Sequence, residues 1–230
     1  LGELSTILSQ TDKSKFEKLK LMLRRNKIGT RSVDLWSWNV EEFSSMQGPL
    51  AVQEYIQELI RNDPSNIAKI IEPPPEVDLN VWQYEHLRQF ILELNLLVTQ
   101  LNGICTPQTC PKMQANDWLY LCASHKKEQE CSAIDYMTHN LDFATSVLNN
   151  LKNFNSRVSI PSSSVKNLGT LARRLYRLFS HCFYKHKEIF LEFENEMFLC
   201  ARFTEFAKRF DLMCAKLFNI PEEVLKSCYE

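Results

Sequence analysis

Apolar residues recur at the helical period along most of this chain. The run VWQYEHLRQFILELNLLVTQL, residues 81–101, has apolar positions three and four residues apart and predicts a strong central helix. The same pattern predicts helices over residues 50–61, 134–151, 162–190 and 192–210, and a last short helix opened by Pro221. Residues 118–122 are short and apolar, which is typical of a strand or a turn. Because we find no internal repeat, we expect one domain.

The helix predicted over residues 162–190 has an apolar face and a basic face. Arg173, Arg174 and Arg177 lie opposite the apolar positions, and their i, i+3 and i, i+4 spacings allow the three guanidinium groups to converge. Each guanidinium can bind two phosphate oxygens at once, so the three side chains are a candidate phosphopeptide site. The alternative for the same residues is a solvated basic face.

Composition narrows the classes of function. The 230 residues carry a net charge of −1, which argues against nucleic acid as the main partner, because nucleic-acid binders usually have a strong basic excess. We find neither a Gly-rich nucleotide-binding loop nor an apolar run of transmembrane length. The first residues also lack the basic-then-apolar order of a signal peptide. We therefore expect the eight cysteines to be thiols or metal ligands and not disulfides.

Cysteine and histidine spacing suggests a metal site. Cys105 and Cys110 form a Cys-x4-Cys loop, and His181 and His186 follow as His-x4-His, which together supply four ligands that zinc prefers. The histidine spacing is awkward, because positions i and i+5 of an ideal helix point about 140° apart. Cys182 and His186 share a helix face better, so the sequence leaves the choice between His181 and Cys182 open.

A second group of potential ligands competes with the first. Cys122, His125 and Cys131 lie within ten residues of one another and form a rival cluster.

Four protein ligands close a tetrahedral zinc site and leave no position for a water molecule, which points to a structural ion. A hydrolytic zinc would need three ligands and a general base.

Several longer motifs carry a family resemblance. The runs LAVQEYIQ from Leu50, SNIAKIIEPP from Ser65, VWQYEHLRQF from Val81 and ECSAIDY from Glu130 are long and specific. They continue as SRVSI, RRLYRLFSH and ENEMFLCARFTEF in the second half of the chain. With these motifs the chain resembles the Mob (Mps-one-binder) family and, within it, the phocein branch.

The resemblance implies a fold and a set of sites. The fold would be an all-α Mob fold, with a four-helix bundle core, additional helices and a loop held in place by structural Zn2+. The family's zinc ligands would fall on Cys105, Cys110, His181 and His186, and its phosphopeptide pocket on Arg173, Arg174 and Arg177. Residues 1–22 would be a flexible N-terminal extension, 23–215 the Mob domain and 216–230 a C-terminal tail.

The resemblance also implies a function without catalysis. Such a protein would be an adaptor in a striatin-type phosphatase–kinase (STRIPAK) assembly and would bind phosphorylated segments of Ste20-type kinases, with a role in membrane trafficking. It would be cytoplasmic, with at most peripheral association with Golgi membranes. The alternative function is a constitutive scaffold that holds its partners through hydrophobic surfaces without recognising phosphate.

Overall fold

The computed structural model describes residues 28–35 and 41–226. Residues 28–35 contain the short 3-10 helix Ser32–Asp34, and residues 41–226 form a mostly helical body. The predicted all-α fold is confirmed. The expected extension over residues 1–22 lies outside the described residues, and the domain boundaries remain predictions.

The helical body contains one small hairpin between its helices. The helices are α1 (Ala51–Asn62), α2 (Ile67–Ile71), α3 (Leu79–Gln100), α4 (Ala133–Leu148), α5 (Ser162–Lys185), α6 (Lys187–Met197), α7 (Leu199–Arg209) and α8 (Glu222–Lys226). The hairpin consists of β1 (Gln114–Ala115) and β2 (Trp118–Leu119), which pair antiparallel. The predicted strand or turn at residues 118–122 is therefore confirmed.

Helix α3 lies at the centre of the body, as its apolar pattern predicts. It packs against α1, α4 and α5, and these four helices form the core bundle. Trp82, Leu87 and Phe90 of α3 are fully buried. The helix begins at Leu79 and is capped by Asp78, whose side chain accepts hydrogen bonds from the backbone N–H groups of Asn80 and Val81.

The two main differences between the predicted and the observed helices lie in the second half of the chain. The helix expected over residues 162–190 ends at Lys185, because His186 leaves helical geometry with φ −138° and ψ 51°. The helix expected over residues 192–210 is divided at Phe198, which has a left-handed φ of 49°. The carboxylate of Glu194 accepts hydrogen bonds from the first N–H groups of α7 and stabilises that division. Local hydrogen bonding therefore overrides a continuous apolar period.

The segment after α7 returns across the N-terminal half of α5. Gly169 makes this crossing possible, since a Cβ atom at that position would lie 3.0 Å from the carbonyl oxygen of Leu212. The segment then forms the 3-10 helix Ala215–Leu217 and leads into α8. It thus lies beside the arginine-bearing face of α5.

Among the described residues, no helix combines the length and the hydropathy needed to span a lipid bilayer.

A buried ion pair joins α3 to α7. The guanidinium of Arg202, which has no solvent exposure, donates to the carboxylate of Glu93, and the amide of Gln89 donates to the other oxygen of that carboxylate at 2.7 Å. Nε and Nη1 of Arg202 have no hydrogen-bond partner among the described residues. A carboxylate that lost Arg202 would be buried and unpaired.

We expect Arg202→Ala to lower the free energy of unfolding by about 3–5 kcal/mol, because it leaves the Glu93 charge uncompensated in the core. The matched control is Arg209→Ala, which removes an exposed ion pair with Glu72 and should cost less than about 1 kcal/mol. Urea unfolding monitored by circular dichroism measures both values. Equal losses in the two variants would contradict this account of the core.

Candidate functional site

The first Cys/His group joins the loop after α3 to the end of α5. Sγ of Cys105 lies 3.5 Å from Nε2 of His181, and Sγ of Cys110 lies 3.5 Å from Nε2 of His186. All four ligand atoms lie within 4.8 Å of one another. The structure therefore brings together all four residues that the resemblance implied.

The end of α5 at Lys185 explains how two histidines five residues apart meet. His181 is helical, but His186 lies in the break between α5 and α6, so the ideal helical angle between them does not apply. Cys182, the alternative that the spacing left open, is fully buried and does not belong to the group. Its thiol has a pKa raised to about 12 by burial and by the nearby Cys105.

A backbone contact sets the tautomer of His181. Nδ1 lies 2.7 Å from the carbonyl oxygen of Gln114 in β1. Because a carbonyl can only accept, Nδ1 carries the proton and Nε2 presents a lone pair towards Cys105. This is the arrangement in which histidine binds a metal.

Burial controls the charge of this group. Desolvation, followed by the neighbouring Cys110, raises the pKa of the Cys105 thiol to about 12. Desolvation also lowers the pKa of His181 to about 4, so its imidazole is neutral at physiological pH. A divalent cation is the charge that would stabilise thiolates here, since metal binding displaces thiol protons.

The second Cys/His group contains the three residues of the rival cluster and a fourth ligand. Nε2 of His125 lies 3.0 Å from Sγ of Cys131, and Nδ1 of His139 lies 3.5 Å from Sγ of Cys122. His139 also lies 3.9 Å from Cys131, and all four ligand atoms lie within 4.8 Å of one another. The two groups are thus not rivals, because the structure forms both.

Sequence reasoning missed His139, although the chain contained a signal for it. Ser132 caps α4 by accepting a hydrogen bond from the N–H of Asp135, so the helix begins at Ala133, two residues after Cys131. His139 lies about two turns into α4, so its side chain can face Cys131, which precedes the N-terminus of this helix. Pairing of Cys122 with Gln129 across the intervening loop then brings Cys122 to the same point.

The spacing of both groups fits a tetrahedral metal centre. Zinc–sulfur and zinc–nitrogen bonds of about 2.3 and 2.0 Å imply S···N edges of roughly 3.5 Å in a tetrahedron. Five S···N contacts join cysteines to histidines within the two groups, and three of these distances are 3.5 Å while two are 3.0 and 3.9 Å. None of the four cysteines forms a disulfide. Both groups could therefore hold a metal ion.

The three candidate phosphate ligands follow α5 but face different neighbours. Arg177 donates to the hydroxyl of Tyr136 at 2.7 Å, and Arg173 donates to the hydroxyl of Thr170 at 3.0 Å. Arg174 lies over the ring of Phe143 in α4, 4.4 Å from its centroid. Arg173 and Arg177 line one cavity, whereas Arg174 is not among the residues that line it. Their role towards phosphate remains a prediction.

Comparisons with known proteins place these features in a family. A sequence model described as the Mob1/phocein family matches residues 58–220. The chain is 50% identical over 204 residues to "MOB kinase activator-like 4" of Drosophila melanogaster, covering 88% of this chain and 92% of that protein. It is 46% identical over 200 residues to "MOB-like protein phocein" of Caenorhabditis elegans, covering 86% and 90%.

The chain also matches a more distant relative at lower sequence identity. "Maintenance of ploidy protein mob1" of Schizosaccharomyces pombe is 26% identical over 171 residues, covering 70% of this chain and 81% of that protein. The family model spans both Cys/His groups and the basic face of α5. On this coverage and identity, the chain belongs to the Mob1/phocein family.

Proposed function

We propose that this protein is a non-enzymatic, kinase-associated adaptor that binds phosphorylated Ser/Thr segments through the basic face of α5. The observation that carries the proposal is the cavity lined by Arg173 and Arg177. None of the ion pairs among the described residues includes Arg173, Arg174 or Arg177, so no carboxylate of the described part neutralises them. Permanently charged guanidinium groups without acidic partners are suited to a doubly charged phosphoryl group.

Relatives support the kinase association. Proteins of Drosophila and Arabidopsis that resemble this chain are named MOB kinase activator-like proteins. We propose Ste20-type kinases as the source of the phosphorylated segment, and a striatin-type scaffold with its phosphatase as the wider assembly. Cytoplasmic localisation, peripheral Golgi association and a role in trafficking belong to the same proposal.

We further propose that both Cys/His groups hold structural Zn2+. Four protein ligands complete the tetrahedron in each case, which leaves no position for an attacking water and favours a structural over a hydrolytic ion. Zinc in the first group would tie the loop after α3 to the end of α5. Zinc in the second would tie the chain after β2 to α4.

Metal analysis tests the zinc proposal. We expect two zinc ions per chain by mass spectrometry, and about one in Cys105→Ser, Cys122→Ser and His139→Ala, because each substitution removes one of four ligands. Chelation of both ions should lower the melting temperature, since metal binding stabilises the folded state.

The matched control is Cys214→Ser, which replaces an exposed cysteine outside both groups and should retain two ions. If His139→Ala also retained two ions, the second group would not be a zinc centre. An unchanged melting temperature after verified metal removal would contradict a structural role.

Peptide titration tests the adaptor proposal. At physiological salt, we expect a phosphothreonine peptide from a Ste20-type kinase linker to bind, and its unphosphorylated form not to bind detectably. Arg177→Ala should weaken binding at least about tenfold, because a charge-assisted hydrogen bond to phosphate is lost. Fluorescence anisotropy measures the affinity, and the melting temperature shows whether loss of the Tyr136 contact affects the fold.

Lys69→Ala is the control, because it removes an exposed cation of α2 that does not line this cavity. Binding that does not depend on phosphorylation would favour the constitutive scaffold. Leu92 and Leu96, which are exposed and one helical turn apart on α3, form one apolar surface that such a scaffold could use.

A further inference from the structure

The two Cys/His groups differ in how far solvent reaches their ligands. In the first group, Cys105, Cys110 and His181 are buried, and His186 is half-buried. In the second group this ratio is reversed, because Cys122 is buried and the other three ligands are half-buried. Small solutes therefore have better access to the second group than to the first.

The second group also lies on one short stretch of the chain. Between Cys122 and Cys131, every residue except the half-buried ligand His125 is exposed, and His139 follows on α4. By contrast, each sulfur–nitrogen contact of the first group joins residues that are 76 positions apart in the sequence. A chemical change in the second group can therefore be accommodated by an exposed loop, without movement of the helical core.

The two sulfur atoms of the second group lie close to each other. Sγ of Cys122 and Sγ of Cys131 are within 4.8 Å, and they contact Nδ1 of His139 at 3.5 and 3.9 Å respectively. A disulfide bond is about 2.05 Å long, so the sulfurs would need to approach by at most about 2.8 Å to form one. Two backbone hydrogen bonds between Cys122 and Gln129, 2.8 and 3.2 Å long, hold the two segments side by side.

We propose that the second Cys/His group is a reversible oxidation site, at which hydrogen peroxide joins Cys122 to Cys131 in a disulfide and the bound metal is released. The inference rests on the proposed Zn2+ of this group and adds a redox response to it. Cysteines that bind a metal are thiolates, and the thiolate is the nucleophilic form of cysteine. The half-buried Cys131 is the sulfur that the oxidant reaches first.

The reaction needs no oxidant other than the peroxide. Sγ of Cys131 attacks one peroxide oxygen, the O–O bond breaks, and the products are a sulfenic acid and a hydroxide ion. Sγ of Cys122 then attacks the sulfur of Cys131, the S–S bond forms, and a second hydroxide ion leaves. The sulfurs lose two electrons to the peroxide, and two protons from solvent convert the hydroxide ions to water. His125 and His139 are then left as two neutral ligands, which do not complete a tetrahedral site.

The position of the group determines which part of the molecule its oxidation affects. The disulfide keeps the chain after β2 joined to the residues before α4, but His139, the ligand within α4, is released. The N–H of Met113, directly before β1, donates to the carbonyl of Cys131, and the hairpin carries Trp118 and Tyr120 to the cavity beside α5. Oxidation would therefore loosen the hairpin from α4 and leave the helical bundle folded.

Peroxide treatment of the zinc-loaded full chain tests the proposal. We expect the zinc content to fall from two ions per chain to about one, because the ligands of the first group are more deeply buried, and a thiol reductant with added Zn2+ to restore the second ion. Trypsin cleaves between the two cysteines, after Lys126 and Lys127, so they fall on separate peptides, residues 113–126 and 128–152. Mass spectrometry of the alkylated digest should find these two peptides joined.

Three variants separate the steps of the reaction. Cys122→Ser lacks the second sulfur, so peroxide should leave Cys131 as a sulfenic acid that dimedone traps, and no joined peptides should form. Cys105→Ser disrupts only the first group, so it should still form the disulfide and release the ion of the second group. Cys214→Ser is the control for oxidation at an exposed cysteine outside both groups, and it should respond as the parent does.

The outcomes distinguish this inference from the zinc proposal. If the untreated chain holds no ion at the second group, both fail. If two ions are present but peroxide forms no disulfide between Cys122 and Cys131, or releases both ions together, the inference is wrong and structural zinc stands. Oxidation of Cys131 to a sulfinic acid without a disulfide would also overturn it, because thiols do not reverse that product. These measurements on the parent chain do not depend on the folding of any variant.

Discussion

The hairpin of two-residue strands is the element on which the candidate sites depend. So short a pair of strands is not stable alone, and here its position is fixed from both ends. His181 of the first Cys/His group donates to Gln114 in β1, and Cys122 of the second group follows β2 by three residues. The N–H of Met113 also donates to the carbonyl of Cys131. Occupancy of both groups would therefore hold Trp118 and Tyr120 at the cavity beside α5.

The break between α5 and α6 serves the same arrangement. In a continuous helix, His181 and His186 would point in different directions. The loop cysteines could then contact only one of the two histidines. Because α5 ends at Lys185, its last turn supplies His181 and the break supplies His186. The arginine-bearing turns lie one to two turns earlier on the same rigid helix. Because both lie on α5, the helix fixes the position of the first Cys/His group relative to the basic face.

The sequence predicted most of the helical body, because apolar residues at the 3.6 period report burial on one face of a helix. The buried positions of α3 and the cap at Asp78 follow directly from local pattern. The divisions at His186 and Phe198 were missed, because the apolar period continues through both. The division at Phe198 depends on Glu194, whose carboxylate accepts hydrogen bonds from the start of α7, and the apolar period carries no information about such a polar contact.

For the candidate sites, the types of residue in the sequence establish the chemistry. Spacing alone identified Cys105 and Cys110 and the cluster of Cys122, His125 and Cys131. The folded chain shows in addition that His139 completes the second group and that Lys216 lines one cavity with Arg173 and Arg177. This difference arises because the type of ligand is a property of each residue. Ligands converge because segments that are distant in the sequence pack together, as Leu212 does against Gly169. Such packing cannot be read from a local sequence pattern.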